Sequence, residues 1–250
     1  LFSLAFLEPE SLTTTRLDVE LSLQTGCPTL FPNDAIAPAN YVSSDSRVIR
    51  EQLLGTSSRL SSIMLSVVSF AGLLNGRERK GRTKLDPLSY TETIVSLLYR
   101  LIEVAPLRQP RPLLGGLYDD VTHLAMLAFM TTLLPEYGHN DSSYLLLSDS
   151  LESAIQNLHF TSAETQDSGS SLLLWALYIG GVSVLKRKDH RWLILDTCER
   201  LDLHDWPAVL RQLCGFPWIH TLHDVPGRSL WEGAQRRSTD ISQEFLQLET

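Results

Sequence analysis

Two groups of side chains have the residue types from which a reactive or metal-binding site is built. Cys198, His204, Cys214, His220 and His223 lie in one region of the chain, and thiolate sulfur and imidazole nitrogen are the ligands that zinc takes most readily. Structural zinc sites present their ligands as close pairs on a knuckle or on one helical face, and only His220 and His223 are so spaced. Cys198 falls on an apolar face with Trp192 and Leu195, where a free cysteine behaves as a small hydrophobe. The second group is Asp119, Asp120 and His123, in which a carboxylate and an imidazole one helical turn apart could pass a proton. The carboxylates are better explained as helix N-caps, and His123 as a helix-face residue with a hydrogen-bond partner. The chain has no G-x-S-x-G, H-E-x-x-H, phosphate-cradling glycine loop or dinucleotide fingerprint. No catalytic, cofactor-binding or metal-ligating residue is therefore assigned, and no enzyme is expected.

The bulk properties narrow the partners. The formal charge of -8 and a pI near 5.3 give a field that repels a phosphate backbone and does not attract an anionic membrane, so direct nucleic-acid binding is not expected. Cys27, Cys198 and Cys214 are scattered and form no C-x-x-C pair, which leaves neither a disulfide framework nor a cysteine-only zinc cluster. The longest apolar runs, 63–74 and 172–182, are broken by Ser or Gly and fall short of the roughly 20 residues of a membrane span. They read as buried helices. The opening LFSLAFL lacks the basic lead and cleavage site of a signal peptide.

The elements that would position these residues read as helices throughout, because no pair of segments alternates with period two around hairpin chemistry. Residues 1–47 are rich in Ser, Thr and Pro and are expected to be irregular, with a short strand or turn near residues 17–23. Beyond Gly55, Leu60, Ile63, Met64, Val67, Val68, Ala71 and Leu74 share one helical face, closed by Asn75-Gly76. The basic run RERKGRTK, 77–84, is a solvated loop in the plain reading and a nuclear-import signal or phosphate contact in the functional one. Asp86-Pro87 marks the next helix start by cap and proline. Asp119 or Asp120 is placed to cap a third helix, and Ser142-Ser143 open a fourth.

A nearly apolar fifth helix over 172–185 must be central; Gly180-Gly181 within it permit close packing, and Lys186, Arg187 and Lys188 favour the negative pole at its end. Asp189, Asp205 and Asp224 are expected to cap three more. All five tryptophans lie in residues 171–231, so these short elements share one apolar interior. Trp175, Trp192, Leu213, Trp218 and Trp231 are its expected anchors. The expectation is an all-α chain of about eight helices with no significant sheet: an irregular lead over 1–54, one helical domain over 55–238 and a polar tail over 239–250 that frays.

Three segments carry more than periodicity: LDPLSYTETIVSLLYRLIEVAPL (85–107), LLLWALYIGGVSV (172–184) and WPAVLRQLCGFPWIHTLHDVPGRSLWEG (206–233). In this order and separation they resemble the fungal-specific transcription factor domain, the helical regulatory domain that usually follows a Zn(II)2Cys6 DNA-binding head. The resemblance covers 55–233 and implies a nuclear regulator of transcription whose domain governs activity, effector response or dimerisation. Its implied partners are a second copy or coregulator proteins and a small-molecule effector. The six clustered cysteines of the head are absent from the chain. Zinc is expected only in a head preceding Leu1, since the chain starts without methionine; the alternative is a headless scaffold or small-molecule sensor.

Overall fold

A computed structural model describes residues 9–31, 57–76, 86–108, 114–134, 144–162, 169–185 and 189–248, with the side chains of those between 12 and 161 and between 169 and 236. Nine helices and no strand occur among them. They are α1 (Pro9–Thr25), α2 (Ser58–Asn75), α3 (Pro87–Val104), α4 (Leu117–Thr131), α5 (Leu145–Ser162), α6 (Ser170–Val182), α7 (Arg191–Arg200), α8 (Trp206–Leu213) and α9 (His220–Leu248). The basic run 77–84 and the cations Lys186, Arg187 and Lys188 lie outside the described residues.

The all-α class agrees with the sequence, and the helix beyond the expected eight is α1, which stands at 9–25 of the expected irregular lead and replaces the strand or turn at 17–23; residues 1–8 and 32–54 of that lead lie outside the described residues. Its inward face is half polar, which hides the apolar period: Leu12, Val19 and Leu23 are buried beside Thr15, Asp18 and Ser22. Thr15 is satisfied within the helix and Asp18 from other parts of the chain. Thr15 Oγ1 donates to the Leu12 carbonyl at 3.0 Å, and the Asp18 carboxylate accepts the Leu30 amide at 2.9 Å, the Phe31 amide at 3.1 Å and the Tyr99 hydroxyl at 2.7 Å. α1 packs on α3 and α5 through this face.

The centre is built from α4 and α6. From Val121 to Thr131 every residue of α4 is buried, and α6 is buried from Leu172 through Gly180, as an all-apolar helix must be. α4 meets α2, α3, α5 and α6, while α6 meets α5, α7, α8 and α9. Gly180 and Gly181 allow this, as the sequence indicates. An added Cβ at Gly180 would come within 3.1 Å of Leu151 Cδ2, and one at Gly181 within 2.8 Å of Leu230 Cδ1. α2 has the length and hydropathy of a membrane span, and it turns Leu60, Ile63, Met64, Val67, Phe70 and Ala71 into the core against α3 and α4.

Two of the aspartate caps hold: Asp86 accepts the Ser89 amide at 3.2 Å and Asp205 the Ala208 amide at 2.7 Å, each before a proline in the first turn. Others are corrected. The N-cap of α4 is Gly116 at φ 145°, a left-handed region that suits glycine, and neither Asp119 nor Asp120 takes that place. α7 is capped by His190 rather than Asp189, although Asp189 Oδ1 accepts the Arg191 amide at 3.2 Å. α9 starts at His220, so Asp224 lies inside it, and the helix continues to Leu248 where a fraying tail was expected. Asn75-Gly76 does close α2, as the sequence indicates, with Gly76 as a right-handed C-cap at φ -69°.

Of the expected anchors, Trp175, Leu213, Trp218 and Trp231 are buried, but Trp192 is 49% exposed. α7 faces inward with Leu193, Ile194, Thr197 and Cys198. The face inferred from Trp192, Leu195, Cys198 and Leu201 is thus turned by about one residue, close to 100° on a helix of 3.6 residues per turn.

Candidate functional site

The zinc-type side chains do not converge. Cys198 is buried in α7, where burial pushes its thiol up to about 12. Cys214 is exposed at the end of α8. His204 Nε2 lies 2.8 Å from Asp202 on the surface, and His220 Nδ1 lies 3.2 Å from Asp224. His223, three residues on from His220, is buried instead. Among the described residues no three His, Cys, Asp or Glu side chains are grouped to hold a metal ion.

His223 is fully engaged by its surroundings. Its Nδ1 accepts the Ile219 amide at 3.0 Å, and its Nε2 lies 3.0 Å from Thr132 Oγ1. Thr132 spends its own hydrogen on the Phe129 carbonyl at 2.7 Å, so Nε2 carries the proton and donates. The ring lies against Phe129 and Trp218 at centroid distances of 5.4 and 5.1 Å. Burial lowers its pKa to about 4, against the pull of the Asp224 carboxylate. The neutral tautomer is a structural member joining α9 to the end of α4.

The acid/base group is divided in the same manner. Asp119 is buried and accepts the Ser57 amide at 3.1 Å, which ties the start of α2 to α4. His123 Nε2 donates to the Leu101 carbonyl at 2.8 Å, within a fully buried site between α4 and α3. It is a helix-face histidine with a hydrogen-bond partner, as the sequence suggests.

One polar cluster escapes the sequence. His159 of α5 lies 2.9 Å from Asp196 and 3.0 Å from Arg200 Nη2, and Arg200 Nε lies 2.8 Å from Asp196, both on α7. The Asp196 and Arg200 spacing on one helical face was the available signal. His159 comes from a distant segment and had none.

The segments 172–184 and 206–233 form one unit. Trp175 Nε1 donates to the Pro217 carbonyl at 3.0 Å, and its ring stacks on Phe216 with centroids 5.3 Å apart and planes 12° from parallel. Trp218 Nε1 donates to Asp224 at 2.7 Å. Gly227, after Pro226 in α9, lets Trp206 and Trp218 approach, since an added Cβ would lie 3.1 Å from Cη2 of each ring.

Beside this unit, α6, α7 and α9 splay to leave a cleft of about 340 Å3. Its apolar walls are Leu177, Leu185, Ile194 and Leu230, and Asp189, His190, Arg191 and Ser229 line it as well. Arg191 is paired with Asp189, Nε to Oδ1 at 2.9 Å and Nη2 to Oδ2 at 3.3 Å. Apolar walls beside the paired charges of Arg191 and Asp189 form a hollow of the kind that binds small molecules. Comparison of the chain with models of known protein families, with curated proteins and with solved structures finds no match in any of the three.

Proposed function

We propose that this chain is the regulatory, non-DNA-contacting domain of a fungal zinc-cluster transcription factor, acting in the nucleus without catalysing a reaction. The observation that carries the reading is the fate of the segments that resemble that family. Residues 172–184 and 206–233 become α6 and the α8–α9 pair, and they are clasped to each other by Trp175 on Pro217 and Phe216. Residues 85–107 supply α3, which packs on the same central α4 as α6 does. Residue patterns set far apart in the chain thus belong to one helical body, as the pieces of a single domain would. The net charge of -8 supports a part that leaves DNA contact to a separate basic head. Zinc would reside in that head, and the partners would be a second copy or coregulator proteins.

The second reading is a headless scaffold or small-molecule sensor, and the cleft between α6, α7 and α9 favours it because a binding hollow needs no head. The coding sequence upstream of Leu1 separates the two. Six clustered cysteines followed by basic residues are the expected result. An initiator codon directly ahead of Leu1, without such a cluster, moves the conclusion to the headless protein.

A further inference from the structure

We propose that the cleft between α6, α7 and α9 binds a small apolar carboxylate, its hydrocarbon body against Leu177, Ile194 and Leu230 and its carboxylate on the outer edge of Arg191. The walls define the body. They come from three helices and enclose about 340 Å3, the small end of the range for ligand sites. At roughly 30 Å3 per molecule, the space corresponds to on the order of ten waters. Water against leucine and isoleucine walls is favourably replaced by hydrocarbon.

Arg191 defines the other end. Its side chain is 47% exposed, and Asp189, which lines the cleft with it and with His190, engages Nε and one Nη2 hydrogen. A guanidinium has five N–H donors in a planar fork, so its remaining edge can take a second carboxylate in the same plane. Gly233 lines the cleft beside Arg191. A Cβ added there would meet only Arg191 Cδ, at 3.9 Å, so the space next to this glycine is unfilled although glycine is disfavoured inside a helix. Binding here deepens the small-molecule reading of the same cleft and stands whether or not a DNA-binding head precedes the chain.

Decanoate titrated into the full chain and followed by calorimetry tests the assignment, with decanol as the comparator. We expect saturable binding at a single site, about tenfold or more tighter for decanoate than for decanol, as a charge-assisted contact implies. Gly233→Leu, which fills the space beside Arg191, should abolish binding, and Arg191→Gln should bring decanoate to the level of decanol. A photoreactive decanoate on the unaltered chain should label peptides from 177–194 or 229–233, so the test stands even where Gly233→Leu fails to fold. Absence of saturable decanoate binding, equal affinity for decanol, binding retained in a folded Gly233→Leu chain, or labelling elsewhere would each overturn the proposal. None of these outcomes depends on the chain's effect on transcription.

Discussion

Asn75 and Trp218 are joined by a hydrogen bond of 2.7 Å from the Asn75 amide Nδ2 to the Trp218 carbonyl, and Asn75 Oδ1 accepts the His220 amide at 3.0 Å. One side chain at the end of α2 therefore grips the main chain where α9 begins. Asn75→Ala removes both bonds and strands a part-buried carbonyl, a loss of about 1–3 kcal/mol. Urea unfolding of the two chains measures it. Asn75→Asp keeps the acceptor for His220 and loses the donor to Trp218, and should fall between them; equal stability of all three would show that the clasp contributes nothing.

The tryptophans should divide by burial. Trp175→Ala opens a cavity in the core and breaks the bond to Pro217, and should cost about 3–5 kcal/mol. Trp192, half exposed beside His159, should cost under about 1 kcal/mol when replaced by Ala. Denaturant midpoints at unchanged slope would report this difference; a costly Trp192→Ala with a tolerated Trp175→Ala would mean that α7 is turned the other way.

That contrast also shows where the sequence could be read and where it could not. Asp86-Pro87 and Asp205 announce α3 and α8 because cap and proline act on their own backbone. The all-apolar run of α6 marks it as central for the same local reason. α1 was hidden because half of its inward face is Thr15, Asp18 and Ser22, whose burial depends on partners such as Tyr99, far along the chain. Asp119 and Asp224 resemble caps locally, but their carboxylates are taken by Ser57 and Trp218. The cleft is the extreme case. Leu177, Arg191 and Gly233 lie on three helices, and no spacing in the chain brings them together.

His223 makes stability depend on pH. Its pKa is near 6.5 in the unfolded chain and about 4 in the fold. Between these values the unfolded state binds more protons, so stability rises with pH there. The contribution is complete above about 6.5 and is lost as pH falls toward about 4, by about 3 kcal/mol in total. His223→Gln should flatten this limb of the stability profile. An unchanged slope in the variant would assign the proton uptake to other groups.

Asp18 should control the docking of α1. It serves the amides of Leu30 and Phe31 and the hydroxyl of Tyr99. Asp18→Ala strands all of these donors, and hydrogen exchange over residues 9–31 should accelerate with little change in α4. Tyr99→Phe removes one bond only, worth about 1.5–3 kcal/mol to a charged acceptor, and should give a smaller effect. Exchange in α1 that ignores Asp18→Ala would refute this anchoring.

Two glycines of α9 should respond with opposite sign to the same change. Gly233→Ala meets open space, the nearest atom being 3.9 Å away, and should stabilise the chain by about 0.5–1 kcal/mol through helix propensity. Gly227→Ala places a methyl 3.1 Å from the rings of Trp206 and Trp218, and crowding of that kind typically costs about 1–3 kcal/mol. Thermal melts of both variants decide the matter, and stabilisation by Gly227→Ala would show that the rings yield.

Regulation of transcription is tested most directly by tethering the chain to an unrelated DNA-binding domain and measuring a reporter carrying that domain's sites in fungal cells. Reporter output should differ from that of the DNA-binding domain alone, and Trp175→Ala, which weakens the helical body, should remove the difference. A folded fusion that occupies its sites and leaves output unchanged would contradict it.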